Sequence, residues 1–135
     1  NILLVYLHKL EEMENKRQKQ VAELIKRNFG IVLQQEGSYI YGNEAFVTTT
    51  SVKISPDFGI AKIYLSVYNI DDKQNVILSM EAEKNVLKNA LAQRIRKHVR
   101  KIPDVIFFLD DTLDEMLKLN QLFDNINTDD KDKPS

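Results

Sequence analysis

The chain of 135 residues contains no cysteine, no tryptophan and two histidines, His8 and His98. The absence of cysteine excludes disulfide bonds and thiolate metal sites, and it fits a reducing compartment. The two histidines form no recognisable arrangement with a nucleophile, and the four glycines do not form a phosphate-binding loop. We therefore predict a protein that is not an enzyme and that has no cofactor and no small-molecule substrate.

Two carboxylate pairs near the C-terminus are the candidate metal ligands. Asp110-Asp111 and Asp129-Asp130 both lack the histidine or third carboxylate that a metal site would require. The first pair is better explained as a cap of a following helix, because aspartate accepts hydrogen bonds from free helical N–H groups. The sequence therefore predicts no metal site.

Long hydrophobic runs are also missing. Residues 2–7 are apolar, but a membrane helix needs about 20 such residues, and neither a basic flank nor a cleavage site surrounds them. Residues 1–12 differ from the polar stretch that begins at Met13. They are either an extension outside the domain, left by an over-extended gene start or by cloning, or an ordinary additional helical turn. The length predicts one domain. The lack of a long apolar run predicts no membrane partner.

Residues 52–68 carry the strongest local pattern. Ala61, Ile63, Leu65 and Val67 alternate with polar or aromatic residues, as in a half-buried strand, and residues 52–54 alternate in the same way. Between them, residues 55–59 contain the proline, aspartate and glycine that favour a tight turn. The pattern predicts a β-hairpin with one polar face, which favours a module that presents a surface over an enzyme with a deep pocket.

Apolar periodicity predicts an α+β order for the whole chain. The predicted elements are a helix over about 16–35, strands over 45–54 and 58–68, a helix over about 76–101 that breaks near 84–90 and ends before Pro103, a strand over 105–109, and a last helix from the Thr112–Glu115 capping box. Residues 125–135 are predicted to be an acidic, disordered tail. Two antiparallel strands followed by a helical crossover to a third strand predict helices on one face of the sheet.

The net charge of −1 conceals a strong asymmetry. Residues 84–101 hold no acidic residue, whereas residues 110–135 hold eight acidic residues and three lysines. A basic run of this kind favours phosphate binding, although a solvated helix face balanced by the acidic tail is the alternative. The seven cations are Lys84, Lys88, Arg94, Arg96, Lys97, Arg100 and Lys101.

Two further features are weaker candidates for RNA binding. The basic group of the first helix has acidic neighbours and is explained as well by a solvated face; it comprises Lys16, Arg17, Lys19, Lys26 and Arg27. Four tyrosines could stack on bases, but exposed tyrosine is also common in strands, and no aromatic RNA-recognition motif is present. These are Tyr39, Tyr41, Tyr64 and Tyr68.

Three segments resemble the bacterial ribosome-binding factor A family. Residues 52–67, VKISPDFGIAKIYLSV, are similar to its hairpin V-x-x-S-x-D-L-x-x-A-K-V-Y-V-x-V, and residues 102–113, IPDVIFFLDDTL, to V-P-E-L-x-F-x-x-D-x-S-L. Residues 17–25, RQKQVAELI, resemble its opening helix. The resemblance implies a type II KH-like fold, α-β-β-α(kinked)-β with a C-terminal helix, over residues 13–124.

The chain departs from that family in the long helix. The family has an Ala-x-Gly motif that bends the helix and stands where other KH domains bind RNA, and no such motif occurs here. The candidates for the bend are Glu83-Lys84-Asn85 and the neighbours of Asn85, and Asn85 is predicted as the hinge because asparagine tolerates the left-handed conformation. The predicted RNA-binding residues are Lys84, Asn85, Lys88, Arg94, Arg96, Lys97, Arg100 and Lys101.

The resemblance implies a non-catalytic, monomeric and cytoplasmic assembly factor. Such proteins bind the immature 30S small ribosomal subunit, aid maturation of its 16S rRNA and are associated with growth in the cold. Two alternatives remain from the residues: an RNA-binding module that does not act on ribosomes, and a protein-interaction domain that uses the exposed strand face. A preference for immature subunits over a simple hairpin RNA would argue against the first alternative. Weak RNA affinity that does not change on charge reversal at Arg96 and Arg100 would favour the second. The acidic tail is expected to reduce non-specific RNA binding.

Overall fold

The computed structural model describes the backbone of residues 1–110 and 119–122, and their side chains except those of 7–15. The predicted α+β order is confirmed over the described residues. The elements are α1 (Ile2–Tyr41), β1 (Phe46–Ile54), β2 (Ile60–Tyr68), α2 (Lys73–Ala82), α3 (Lys84–Ile95) and β3 (Asp104–Leu109). Residues 119–122 are helical. The capping box Thr112–Glu115 and the tail 125–135 lie outside the described residues.

The three strands form one sheet in the order β1-β2-β3. β1 pairs with β2 antiparallel, and β2 pairs with β3 parallel, so that Ile60 lies opposite Asp104. One face of the sheet packs against the helices, and on β2 it presents Ala61, Ile63 and Leu65, which are fully buried. The opposite face carries Lys62, Tyr64 and the other strand residues whose side chains alternate with the buried ones. We call it the open face.

A β-bulge at Thr50 lets β1 keep its apolar residues on the helix side. Val47 lies opposite Val67 and Val52 lies opposite Ile63, although the five-residue spacing between the two valines would place them on opposite faces of a regular strand. The extra residue between Thr49 and Ser51 corrects this register. The Thr50 hydroxyl lies 3.2 Å from the Tyr64 carbonyl oxygen and 2.6 Å from an Asp110 carboxylate oxygen.

The first helix is longer than predicted at both ends. Residues 2–12 are helical and continue α1, which was one of the two alternatives for this segment. At the other end the helix runs to Tyr41, beyond the predicted end near residue 35. Leu33, Ile40 and Tyr41 extend the apolar spacing along the side that packs against the core. Gly42 then takes a φ of 86°, a left-handed value that side chains disfavour, and its N–H donates to the Ser38 carbonyl.

The predicted break in the long helix is confirmed, but the hinge residue is different. Glu83 separates α2 from α3 with a φ of −105° and a ψ of 27°, so it leaves the helical ladder without a left-handed residue. Asn85 is the second residue of α3 and has no positive φ, so its prediction as the hinge was wrong. The bend lets Met80 on α2 and Leu87 on α3 both reach the core, where each is fully buried.

The end of α3 also corrects the prediction. The helix stops at Ile95 instead of continuing to about residue 101, and residues 96–98 form a turn in which the His98 N–H donates to the Ile95 carbonyl. Because β3 runs parallel to β2, the chain must return to the start of β2 before β3 can begin. Pro103 is fully buried at that return, and the Asp104 N–H donates to the Gly59 carbonyl at 2.8 Å.

The core lies between the helices and the covered face of the sheet. Phe29 of α1 is fully buried and stacks on Phe107 of β3, with 5.6 Å between the ring centroids. This contact joins the first helix to the last described strand. Burial of a phenylalanine side chain contributes about 1.5–3 kcal/mol, and the stacking adds to it.

We expect Thr49→Val to raise the free energy of unfolding by about 1 kcal/mol. The Thr49 hydroxyl is buried and has no hydrogen-bond partner among the described residues, so its removal relieves a desolvation cost. Thr50→Val is the matched comparison and should lower the free energy by about 1 kcal/mol, because its hydroxyl has partners. Urea unfolding of both variants tests this; equal destabilisation by the two substitutions would contradict it.

Candidate RNA-binding surface

The seven cations of the basic run do not share one helix face. Lys84 and Lys88 lie on α3 beside the sheet edge, where carboxylates neutralise them. The Lys84 ammonium is 2.8 Å from a Glu81 carboxylate oxygen, and the Lys88 ammonium is 3.1 Å from Asp104. The basic run therefore does not form a single basic helix face.

Arg94 lies on another side of α3, next to α1. Its Nε donates a hydrogen bond to the Asn28 side-chain oxygen at 3.1 Å, while the Asn28 amide donates to the Leu24 carbonyl at 2.8 Å. Arg94 remains exposed, but this contact ties its guanidinium to the packing of α3 on α1. Asn85 is exposed at the start of α3 and has no role as a hinge.

The remaining four cations lie between α3 and β3, and we call them the loop cations: Arg96, Lys97, Arg100 and Lys101. All four are exposed. In the part of the chain that the structure describes, no carboxylate forms an ion pair with any of them. The charge of Lys101 makes a small contribution to the lowered pKa of Asp57. The arrangement concentrates positive charge on a short, exposed segment.

Arg17 of α1 joins the loop cations in space. Its Nη2 donates to the His98 carbonyl at 3.4 Å, which brings residues 81 positions apart together. The neighbouring Gln18 amide donates to the Ile54 carbonyl at 3.0 Å, so this part of α1 also contacts the end of β1. The sequence placed Arg17 in a weaker basic group, and no spacing signal could connect it with residue 98.

A carboxylate of α2 protects the exposed edge of the sheet. Glu81 Oε1 accepts the Phe107 N–H at 3.0 Å, and its other oxygen pairs with Lys84. An edge strand with free N–H groups is a template for pairing with another chain, and this contact occupies one such group. Glu81 therefore connects α2 to β3, and it neutralises the charge of Lys84.

The hairpin turn holds a second carboxylate in its charged form. Asp57 accepts hydrogen bonds from the Ser55 hydroxyl at 2.6 Å and from the Gly59 N–H at 3.0 Å. The Ser55 bond is the main reason why the pKa of Asp57 is lowered, with the Gly59 bond next. Asp57 thus stabilises the turn that lies beside the loop cations.

The four tyrosines do not form one stacking platform. Tyr39 is exposed and Tyr41 is half-buried near the end of α1, where burial raises the pKa of the Tyr41 hydroxyl. Tyr64 and Tyr68 lie on the open face, each beside a phenylalanine that the sequence analysis did not single out. Phe108 stacks on Tyr64 at 5.3 Å and Phe46 lies 6.3 Å from Tyr68.

The described residues offer little to other kinds of site. No group of three or more histidine, aspartate or glutamate side chains within them is arranged to hold a metal ion. None of the helices in this part of the chain has the length and hydrophobicity of a membrane span.

Comparison with solved structures defines the class of protein. The fold is similar to the crystal structure of ribosome-binding factor A from Thermus thermophilus, with a TM-score of 0.58 and 17% identity over 68% of this chain and 94% of the other. A second match, with a TM-score of 0.52 and 20% identity, covers 64% of this chain and 88% of a Thermus thermophilus homology model fitted into the cryo-EM map of a 30S–RbfA complex. These structures have a KH-like fold, so the chain is a KH-like α+β module, as the resemblance implied.

Comparison of sequences then gives the family. The family described as ribosome-binding factor A matches residues 17–123. The chain is 39% identical over 102 residues to ribosome-binding factor A of Cytophaga hutchinsonii, covering 76% of each protein. It is 30% identical to that of Flavobacterium psychrophilum over 108 residues, 80% of this chain and 83% of the relative. The chain belongs to the ribosome-binding factor A family.

We expect Lys88→Met to raise the pKa of Asp104 toward its ordinary value of 3.8. The hydrogen bond from Lys88, followed by the charge of Lys88, lowers that pKa in the folded protein. A lowered folded pKa stabilises the protein above the unfolded pKa, and this contribution is lost as the pH falls through the folded pKa. The stability difference between wild type and Lys88→Met should therefore shrink below about pH 4.

Carbon-detected NMR titration of the Asp104 carboxyl measures this pKa directly. Lys97→Met is the control, because it removes an exposed lysine with no contact to Asp104. An unchanged Asp104 pKa in Lys88→Met would show that the ion pair does not persist in solution.

Proposed function

We propose that this protein is a ribosome assembly factor that binds the immature 30S small ribosomal subunit and aids maturation of its 16S rRNA. Membership of the ribosome-binding factor A family supports the role. A related structure was fitted into the map of a 30S–RbfA complex, which supports the small subunit as the partner. On this proposal the protein acts by binding, without catalysis, in the cytoplasm where ribosomes are assembled.

The loop cations are the observation that carries the proposal. rRNA is a dense array of phosphates, and each lysine or arginine that neutralises a phosphate releases a counterion. Arg96, Lys97 and Arg100 are exposed without an ion-pair partner in the described part of the chain, so binding phosphate costs them no internal ion pair. Structured RNA is recognised mainly by shape and backbone, which suits a short cationic segment.

The other predicted contacts have a secondary place in the proposal. Lys84 and Lys88 already neutralise Glu81 and Asp104, so they offer phosphate less net charge. Asn85 and Arg94 are exposed and remain available on α3. We therefore expect the loop cations to dominate RNA affinity, with the α3 residues contributing at the margin of the contact.

The open face supports a second candidate, a protein-interaction role. Phe46 is 62% exposed and lies beside Tyr68, while Phe108 is 37% exposed and stacks on Tyr64. Aromatic side chains on a strand face are suited to protein contacts. This surface is separate from the loop cations, so variants of the two surfaces distinguish the two roles.

We expect Arg96→Glu/Arg100→Glu to abolish selective binding to immature small subunits. Co-sedimentation with immature and mature subunits across a salt series measures the binding. Wild type should prefer immature subunits with an affinity that falls steeply with salt. The residual binding of the variant should show no preference for immature subunits, and its log–log salt slope should be smaller by about two.

Lys53→Glu/Lys62→Glu is the matched control, because it makes the same change in charge on the open face, where these residues lie opposite each other. The control should retain subunit binding. Loss of binding in the control alone would move the contact to the open face, and the absence of subunit binding in wild type would refute the proposed function.

A further inference from the structure

A cleft opens where the part of α1 around Arg17, the hairpin turn and the segment before β3 meet. Its volume is about 500 Å³, which lies within the range of sites for small ligands. The apolar part of its wall is formed by Val21, Phe58, Val99 and Pro103. Val21 and Pro103 are buried, whereas Phe58 and Val99 are half-buried and leave part of their surface facing the cleft.

The wall also carries charge of mainly one sign. Arg17, Arg100 and Lys101 contribute cations, and Asp57 contributes the single carboxylate. Asp57 already accepts hydrogen bonds from Ser55 and Gly59 within its own turn. Arg17 uses one donor on the His98 carbonyl, and a guanidinium has five. The wall therefore combines an apolar surface with cations that can hold an anion.

Phe58 is held in this wall at an energetic cost. Its φ is 59°, a left-handed conformation that is rare for bulky residues. The turn maintains it, since the Phe58 N–H donates to the Ser55 carbonyl and the Ile60 N–H donates to the Ser55 hydroxyl, both at 2.9 Å. These hydrogen bonds thus fix the Phe58 backbone, and the Phe58 side chain lines the cleft.

We propose that this cleft binds an unpaired nucleotide of single-stranded RNA. The base lies against the Phe58 ring and the neighbouring Val99, and its flanking phosphates lie on Arg17, Arg100 and Lys101. Proteins that bind single-stranded nucleic acid combine these two elements, an aromatic side chain that stacks on a base and a cationic groove for the backbone. The inference rests on the proposed RNA-binding function and adds a site for one base to it.

The cleft for the unpaired base adjoins the loop cations that are proposed to bind the phosphates of structured RNA. Arg96 and Lys97 face solvent next to the cleft and suit the phosphates of structured RNA, while Arg100 and Lys101 belong to both surfaces. A strand that leaves a paired region could therefore keep its phosphates on the loop cations while one base enters the cleft. This geometry favours a junction between paired and unpaired RNA.

Titration with hexaadenylate RNA, followed by NMR of the Val21 and Val99 methyl groups and the Phe58 ring, tests the inference. We expect these signals to shift together, and ribose 5-phosphate, which lacks a base, to leave the Phe58 ring signals unchanged. Phe58→Leu should weaken hexaadenylate binding at least fivefold, the lower end of the contribution of one base–aromatic stack.

Two further variants control for folding and for exposed aromatics in general. Phe58→Asn removes the ring but introduces asparagine, a residue that tolerates the left-handed backbone. Loss of binding in this variant would therefore not come from unfolding. Phe46→Leu removes an exposed ring from the open face and should bind hexaadenylate as wild type does.

Subunit co-sedimentation of the same variants separates this inference from the proposed function. Wild type that binds immature subunits but shifts none of the cleft signals with hexaadenylate would overturn the cleft and leave the proposed function intact. Equal binding by wild type and both Phe58 variants would also overturn it. A hexaglutamate peptide that shifts the cleft signals more strongly than hexaadenylate would assign the cleft to an acidic protein segment instead.

Discussion

The parallel pairing of β2 with β3 determines where the charged residues of this protein lie. Parallel strands cannot be joined by a tight turn, so the chain must cross over and return to the start of β2. The return is fixed by the bond from the Asp104 N–H to the Gly59 carbonyl at 2.8 Å. It places residues 96–103 beside the hairpin turn and beside Arg17 and Val21 of α1. Both the loop cations and the cleft follow from this placement.

Carboxylates decide which cations remain available for phosphate. Glu81 and Asp104 lie along α2 and the start of β3, and they pair with Lys84 and Lys88. The Glu81 carboxylate also has a structural role, since it accepts an N–H from the edge strand. The positive potential is thereby concentrated on the segment after Ile95, where Arg96, Lys97 and Arg100 have no ion-pair partner within the described residues.

The sequence predicted the elements better than their ends, for physical reasons. Alternation along residues 60–68 located β2 because a half-buried strand requires it. The end of α3 at Ile95 could not be read from helical spacing, because it is set by the distance the chain must cover to pair Asp104 with Ile60. The basic residues were identified by composition, but their separation into paired and free cations depends on Glu81 and Asp104. Arg17 and Phe58 join the site only through tertiary contacts, so no local pattern could reveal them.

The most direct test of this account is a cryo-EM reconstruction of the protein on an immature small ribosomal subunit. The account predicts that residues 96–101 and Arg17 of α1 face rRNA phosphates, with the open face of the sheet turned away from the RNA. A complex in which Phe46, Tyr64 and Phe108 contact the rRNA, while the loop cations face solvent, would contradict it.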